Sequence, residues 1–128
     1  MLDPLNDGLS NWTIEVEEEL VVRDFLSNIG YRDVRQLEPF LSPDIVYEPN
    51  RSDRVRGRGR VLRMCEDIFD GFETFTITPT SVAVAGRVVL VEQTLRIGLA
   101  GKPVCDLLSF ASFEITEFQI VAWRQLHG

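Results

Sequence analysis

Residues 88–97 read VVLVEQTLRI, and the alternation in this run decides the architecture. Val89, Val91, Leu95 and Ile97 share one side of an extended chain, and Gln93 falls with them. Glu92 and Arg96 fall on the other side. The same period of two holds on either side of this run. Phe75-Thr-Ile-Thr opens a strand that continues toward Val84, Val104 to Ile115 is a second long strand, and Gln119 to Leu126 is the last. Turn signals separate them at Ala85-Gly86-Arg87, at Leu99 to Lys102 and at Thr116-Glu117-Phe118.

Before Gly71 the period is helical. A helix is predicted from Thr13, its N-cap, with Leu20, Val21, Phe25 and Ile29 on one face and Gly30 as its stop. A second, shorter helix fits Asp33 to Leu41, with Val34, Leu37 and Leu41 inward, and Ser42-Pro43-Asp44 breaks it. Ile45 to Glu48 is a short β-type run closed by Pro49. Residues 50–60 form a polar loop, and a third helix covers about Arg60 to Phe69, with Val61, Met64, Cys65 and Ile68 in register. Residues 1–12 read as a loose lead-in, and 13–128 as a single domain. Helices followed by a meander of antiparallel strands is an α+β arrangement. The helices are expected on one face of the sheet, enclosing a conical pocket. The other face carries Leu90, Leu108 and Phe110 beside Glu92, Arg96 and Glu114, and such a partly apolar face suits a homodimer.

The composition bounds the partners. The 128 residues are 45% hydrophobic and 26% charged, with a formal net charge of −7, which argues against nucleic acid and anionic membranes. No long apolar run predicts a membrane-spanning helix, and no signal segment is visible, so a cytoplasmic protein is expected. Cys65 and Cys105 are expected as buried free thiols. With His127 the one histidine, neither a His/Cys metal site nor a histidine-dependent nucleophile is expected, and no cofactor is implied. The arginines at 51, 54, 56, 58, 60 and 63 lack interleaved aromatics and read as a solvated loop paired with Asp44, Glu48, Asp53, Glu66 and Asp67. Arg58 is a candidate for the pocket rim.

Three passages, PDIVYEP (43–49), RVRGRGRV (54–61) and the pair VLVEQTL (89–95) and FEITEFQIVAWRQ (113–125), together resemble the nuclear transport factor 2-like fold. Within it the chain is similar to the limonene-1,2-epoxide hydrolase family and the SnoaL-like polyketide cyclases, from about Val21 to Gln125. The resemblance implies a cone-shaped α+β barrel with a small-molecule pocket. It also implies epoxide opening by two aspartates bridged by an arginine, with a tyrosine and an asparagine holding the water. The matching positions depart from that pattern. The arginine position holds Gln93, the aspartate positions hold Leu95 and Gln125, and the asparagine position holds Pro49. Only Tyr47 is retained. In the related ketosteroid isomerases the base would fall at Pro49 and the second oxyanion-stabilising acid near Ser109.

Parity gives the same picture from the residues alone. With Val121 and Trp123 inward, Gln125 is inward too. On the strand 104–115 the inward set is Cys105, Leu107, Ser109, Ala111 and Phe113. The expected ligand site is therefore Tyr47, Gln93, Leu95, Leu107, Ser109, Trp123 and Gln125: apolar, with neutral polar handles suited to an apolar small molecule. Gln93 and Gln125 either bond each other or face the ligand. An amide transfers no proton near pH 7, so the family-equivalent catalytic positions Tyr47, Gln93 and Gln125 lack an acid. The rival acids are Glu48, if a bulge beside Pro49 turned it inward, and Asp106, whose strand parity points outward. They would make the protein an isomerase, cyclase or hydrolase of a terpenoid, steroid or polyketide. A non-catalytic dimeric interaction module with a filled core is the remaining alternative.

Overall fold

The change of hydrophobic period at Gly71 is where the chain leaves its last helix for a run of four strands. The computed structural model describes the backbone of residues 4–127 and the side chains of residues 14–126. Helix α1 (Pro4–Ile29) is followed by α2 (Val34–Leu37), which runs into a 3₁₀ turn (Glu38–Phe40). Strands β1 (Leu41–Glu48) and β2 (Val55–Arg56) precede α3 (Arg58–Gly71). The meander β3 (Thr74–Ala85), β4 (Val88–Gly98), β5 (Cys105–Thr116) and β6 (Gln119–His127) completes the chain. The sheet has six strands in the order β2-β1-β6-β5-β4-β3. All neighbours are antiparallel except β1 and β6, which run parallel. It is a curved mixed sheet that does not close on itself, with α1 packed on β3 and α3 on β1. The α+β cone expected from the sequence is thus present, as an open sheet.

Several local expectations change. Positions 4–12, expected as lead-in, lie in α1, and Thr13 lies inside that helix, so it is not the cap. The buried face of α1 is Val22, Phe25, Leu26 and Ile29, an i, i+3, i+4, i+7 set, while Leu20 is exposed. The second helix stops at Leu37, because Pro39 cannot extend an α-helical hydrogen-bond ladder and the chain tightens into the 3₁₀ turn. Asp33 caps α2 by accepting from the Arg35 backbone N–H, 3.0 Å away. Leu41 then begins β1, and Ser42-Pro43-Asp44 is an irregularity within that strand. Pro43 is tolerated there because the β1–β6 pairing is interrupted between Leu41 and Val46. A bulge between Glu114 and Ile115 shifts the register of β5 against β6. Ile120 is consequently fully buried while Val121, expected inward, is only half-buried.

The core is tied by aromatic rings. Phe25 meets Phe40, Phe113 and Trp123 edge-on, with centroids 5.9, 6.0 and 5.1 Å away. Trp123 stacks on Tyr47 at 4.0 Å. One helix residue thus touches the 3₁₀ turn and two strands, and such pairs add about 0.5–1.5 kcal/mol each beyond the area they bury.

Arg32 fixes the far end of α3. It follows α1 with φ 58°, and its guanidinium donates to the backbone carbonyls of Phe69, Phe72 and Glu73. These carbonyls end α3 or lead into β3, where no helical donor remains for them. Arg32→Ala should lower unfolding stability by about 1–2 kcal/mol. Arg32→Lys should recover only part of this, because an ammonium lacks the planar fork that spans several carbonyls. Urea denaturation of the two variants measures both.

Candidate functional site

The inner face of the meander is built in cross-strand rows. Ile77, Leu95 and Leu107 are mutual register partners along one row, and Phe75 and Ile97 pair in the next. Helix α3 places Cys65, Ile68 and Phe69 over these rows, and Phe72 follows from its C-cap. Strand β1 brings Tyr47 and Pro49, and β6 brings Trp123 and Gln125. With Ile29 these groups line a cavity of about 300 Å³.

Its polar centre is one hydrogen bond. Tyr47 is the register partner of Trp123 across the parallel β1–β6 pair. Gln125, two residues further on, shows its side chain on the same face. The Tyr47 hydroxyl donates to Gln125 Oε1 at 2.7 Å. Burial, and the neighbouring Cys65 sulfur, push the Tyr47 phenol far above its ordinary range. Cys65 itself is a buried free thiol, pushed up to about 12 by burial. The Trp123 indole N–H is buried without a hydrogen-bond partner among the described residues. No charged residue lines this cavity among the described residues.

Five of the seven expected ligand-site residues meet here: Tyr47, Leu95, Leu107, Trp123 and Gln125. Gln93 and Ser109 do not line the cavity. They are cross-strand partners on one face of β4 and β5, close enough to satisfy each other, and the Gln93 amide donates to Ser109 Oγ at 3.2 Å. Both are wholly buried. The expected Gln93–Gln125 bond is therefore absent; each glutamine has its own partner, Ser109 for one and Tyr47 for the other.

The rival acids face outward. Glu48 neighbours Tyr47 on a strand whose register runs unbroken from Val46 to Glu48, so alternation turns it to the opposite side, where it meets Arg124 at 3.6 Å. Asp106 is exposed and lies 3.9 Å from Arg96. Cys105, expected buried, is exposed at the start of β5. Among the described residues the buried carboxylate is Glu18, only 8% exposed. Burial first and Glu15 second raise its pKa, and Arg87 lowers it. Three helical turns separate Glu18 from the cavity residue Ile29, about 16 Å along α1.

Arg58 does not line the cavity; it lies 3.9 Å from Glu38. The loop before it is shaped by Asn50, whose side-chain oxygen accepts from the backbone N–H groups of Ser52 and Asp53. Among the described residues, no arginine of 51–63 makes an ion pair with Asp44, Glu48, Asp53, Glu66 or Asp67, against the expectation. No cluster of three or more His, Cys, Asp or Glu side chains that could hold a metal occurs among the described residues, and no helix there is long and apolar enough to cross a membrane. The side chain of His127 lies outside the described residues.

Residues 22–123 match the SnoaL-like domain. The chain belongs to the SnoaL-like domain family. No curated protein matches it. Among solved structures it is similar to an LEH-like epoxide hydrolase from M. tuberculosis, at 24% identity and a TM-score of 0.79, covering 89% of this chain and 84% of that one. It is also similar to SalBIII, an epoxide hydrolase/cyclase-like enzyme of pyran ring formation in the polyether salinomycin. There the identity is 18% and the TM-score 0.79, over 89% of this chain and 92% of that one. TerC, crystallised with polyporic acid, aligns at 10% identity and a TM-score of 0.78, over 88% and 92% of the two chains.

In this SnoaL-like chain, the part of the cavity wall not read from the sequence is the α3–β3 junction. Phe69, Phe72 and Phe75 recur every third residue across the helix–strand junction, and their rings meet at 6.0 Å and 5.8 Å. Cys65 and Ile68 lie on the inward face of the third helix, and extending that face by one turn points to Phe69 and Phe72.

Tyr47 should remain a neutral phenol throughout the range in which the fold survives. Its raised pKa means that the folded state holds the proton more tightly than the unfolded chain. This contribution to stability is present below the ordinary phenol pKa and falls away as pH climbs above it. In a Tyr31→Phe background Tyr47 is the one remaining tyrosine. The phenolate absorbance of that variant should appear only together with loss of the near-ultraviolet circular dichroism, not before it.

Proposed function

We propose that this protein binds a neutral, apolar small molecule in the cavity beside Tyr47 and Gln125, and that it does not hydrolyse epoxides by an aspartate–arginine–aspartate mechanism. The observation that carries this reading is the composition of the cavity wall, whose polar centre is a phenol hydrogen-bonded to an amide. General acid–base catalysis needs a group that changes protonation near the working pH. Leu95 and the amide of Gln125 supply none, and burial keeps the Tyr47 phenol protonated far above the working pH. The fold neighbours that are epoxide-hydrolase- or cyclase-like support a small-molecule site in this cone. The outward placement of Glu48 and Asp106 weighs against an isomerase or cyclase using them, and the cavity weighs against a filled interaction module.

Naphthalene, a neutral fluorescent hydrocarbon, is expected to bind at one site per chain. Leu107→Trp, which fills the cavity, should weaken it about tenfold or more while leaving the circular dichroism unchanged. In the same preparation limonene oxide and styrene oxide should be hydrated no faster than in buffer. Epoxide turnover that disappears in Tyr47→Phe overturns the non-hydrolytic reading.

We further propose that two copies pair through the outer sheet face. Leu90, Leu108, Phe110 and Leu126 are 47%, 50%, 44% and 47% exposed. The register brings Phe110 and Leu126 side by side, with Glu92 on the other flank of Phe110. An apolar strip bordered by the pairs Arg96–Asp106 and Arg124–Glu48 has the apolar centre and polar rim of an isologous interface. Phe110→Glu should convert a dimer to a folded monomer in sedimentation velocity; a wild-type monomer would refute the pairing.

A further inference from the structure

We infer that the ligand of the cavity is a neutral hydrocarbon carrying a hydroxyl group, which bridges the Gln125 amide and the Tyr47 phenol. The inference rests on the cavity being a small-molecule site, and it specifies what that molecule must offer. As drawn, the phenol donates to Gln125 Oε1 at 2.7 Å. This leaves the amide N–H groups of Gln125 as donors, with no partner among the described residues, and leaves a lone pair on the phenol oxygen as acceptor. The Gln125 amide can also take the reverse orientation, with its nitrogen toward the phenol. In that orientation the amide donates to the phenol oxygen, the phenol O–H becomes the free donor, and the amide oxygen becomes the free acceptor. Both arrangements present at least one free donor and one free acceptor side by side.

A hydroxyl matches that pair, since it accepts from one partner and donates to the other. A ketone or an ether oxygen only accepts, so it pairs with the donor and leaves the acceptor beside it unused. A carboxylate or an ammonium ion is disfavoured for another reason: no charged residue lines the cavity among the described residues to compensate it. The remaining wall is aliphatic and aromatic, with the Cys65 thiol as its other heteroatom besides the Trp123 indole nitrogen. The cavity of about 300 Å³ lies at the small end of ligand pockets, which run from about 300 to 1,000 Å³, so a compact alcohol is the ligand to try.

The test uses menthol, menthone and p-menthane, which share one skeleton and differ at one position as alcohol, ketone and hydrocarbon. Each is titrated calorimetrically into the full-length protein. Menthol should bind about tenfold more tightly than menthone and roughly a hundredfold more tightly than p-menthane. In Gln125→Leu the preference for menthol over p-menthane should shrink to about threefold, with p-menthane binding retained as evidence of an intact cavity. The wild-type ranking decides the matter even where that variant fails to fold. Menthone or p-menthane binding the wild type as tightly as menthol overturns the hydroxyl assignment and leaves the apolar-cavity reading standing. Binding of none of the three overturns both.

Discussion

The parallel pairing of β1 with β6 is the constraint on which the site depends. These strands are separated in sequence by β2, α3 and the first three strands of the meander, and their register sets Tyr47 beside Trp123 and Glu48 beside Arg124. From that register follow the ring stack at 4.0 Å and the phenol–amide bond at 2.7 Å. A slip of one residue would exchange the two faces of β1, putting Glu48 among the aromatics and Tyr47 against Arg124. Phe25 of α1 packs edge-on against the same Trp123, so the helix layer and the strand register support one another. Arg32 extends this order to the opposite wall, because the carbonyls it holds belong to the segment carrying Phe69 and Phe72.

Strand alternation also explains how a chain with 20 acidic residues has a cavity wall without a carboxylate. Tyr47, Leu95, Leu107, Trp123 and Gln125 face inward, and their neighbours Glu48, Asp106 and Arg124 face outward. Each acid and its counter-ion share the outer face, where water screens them and little stability depends on the pair. The inner face keeps groups that hydrogen-bond without ionising. Glu18, the buried exception, lies well along α1 from the cavity.

Alternation is also why so much of this was legible in the sequence. The four meander strands and the inward parity of Gln93, Leu95, Leu107 and Gln125 follow from a period of two that no other element imitates over such lengths. What was not legible depends on contacts remote in sequence. The strand character of Leu41 to Asp44 comes from β6, against a local sequence, Ser-Pro-Asp, that favours a turn. The bulge that buries Ile120 in place of Val121 comes from the pairing with β5. Leu20 and Leu26 are equally apolar, and only the placement of α1 on the sheet buries one and exposes the other. Parity says that Gln93 points inward but not that Ser109, its partner across the ladder, occupies it. The lining of a cavity depends on which inward residues already have partners, and that is a property of pairs.

The same distinction bears on what a SnoaL-like cone can become. An ionisable pair in a cavity this apolar is costly to desolvate unless other charges hold it. A chain that carries Gln93, Leu95 and Gln125 instead is free of that cost, and its inward rows can pack as hydrocarbon with one neutral hydrogen bond. Restoring a single aspartate at 125 would not by itself restore proton transfer. The new carboxyl would face Tyr47 with Leu95 on the wall and no arginine among the cavity residues, and burial would drive it toward the protonated form. Acid–base work at that position would therefore depend on neighbouring groups that set the carboxyl's pKa near the working pH, whereas binding needs only complementarity to a phenol and an amide.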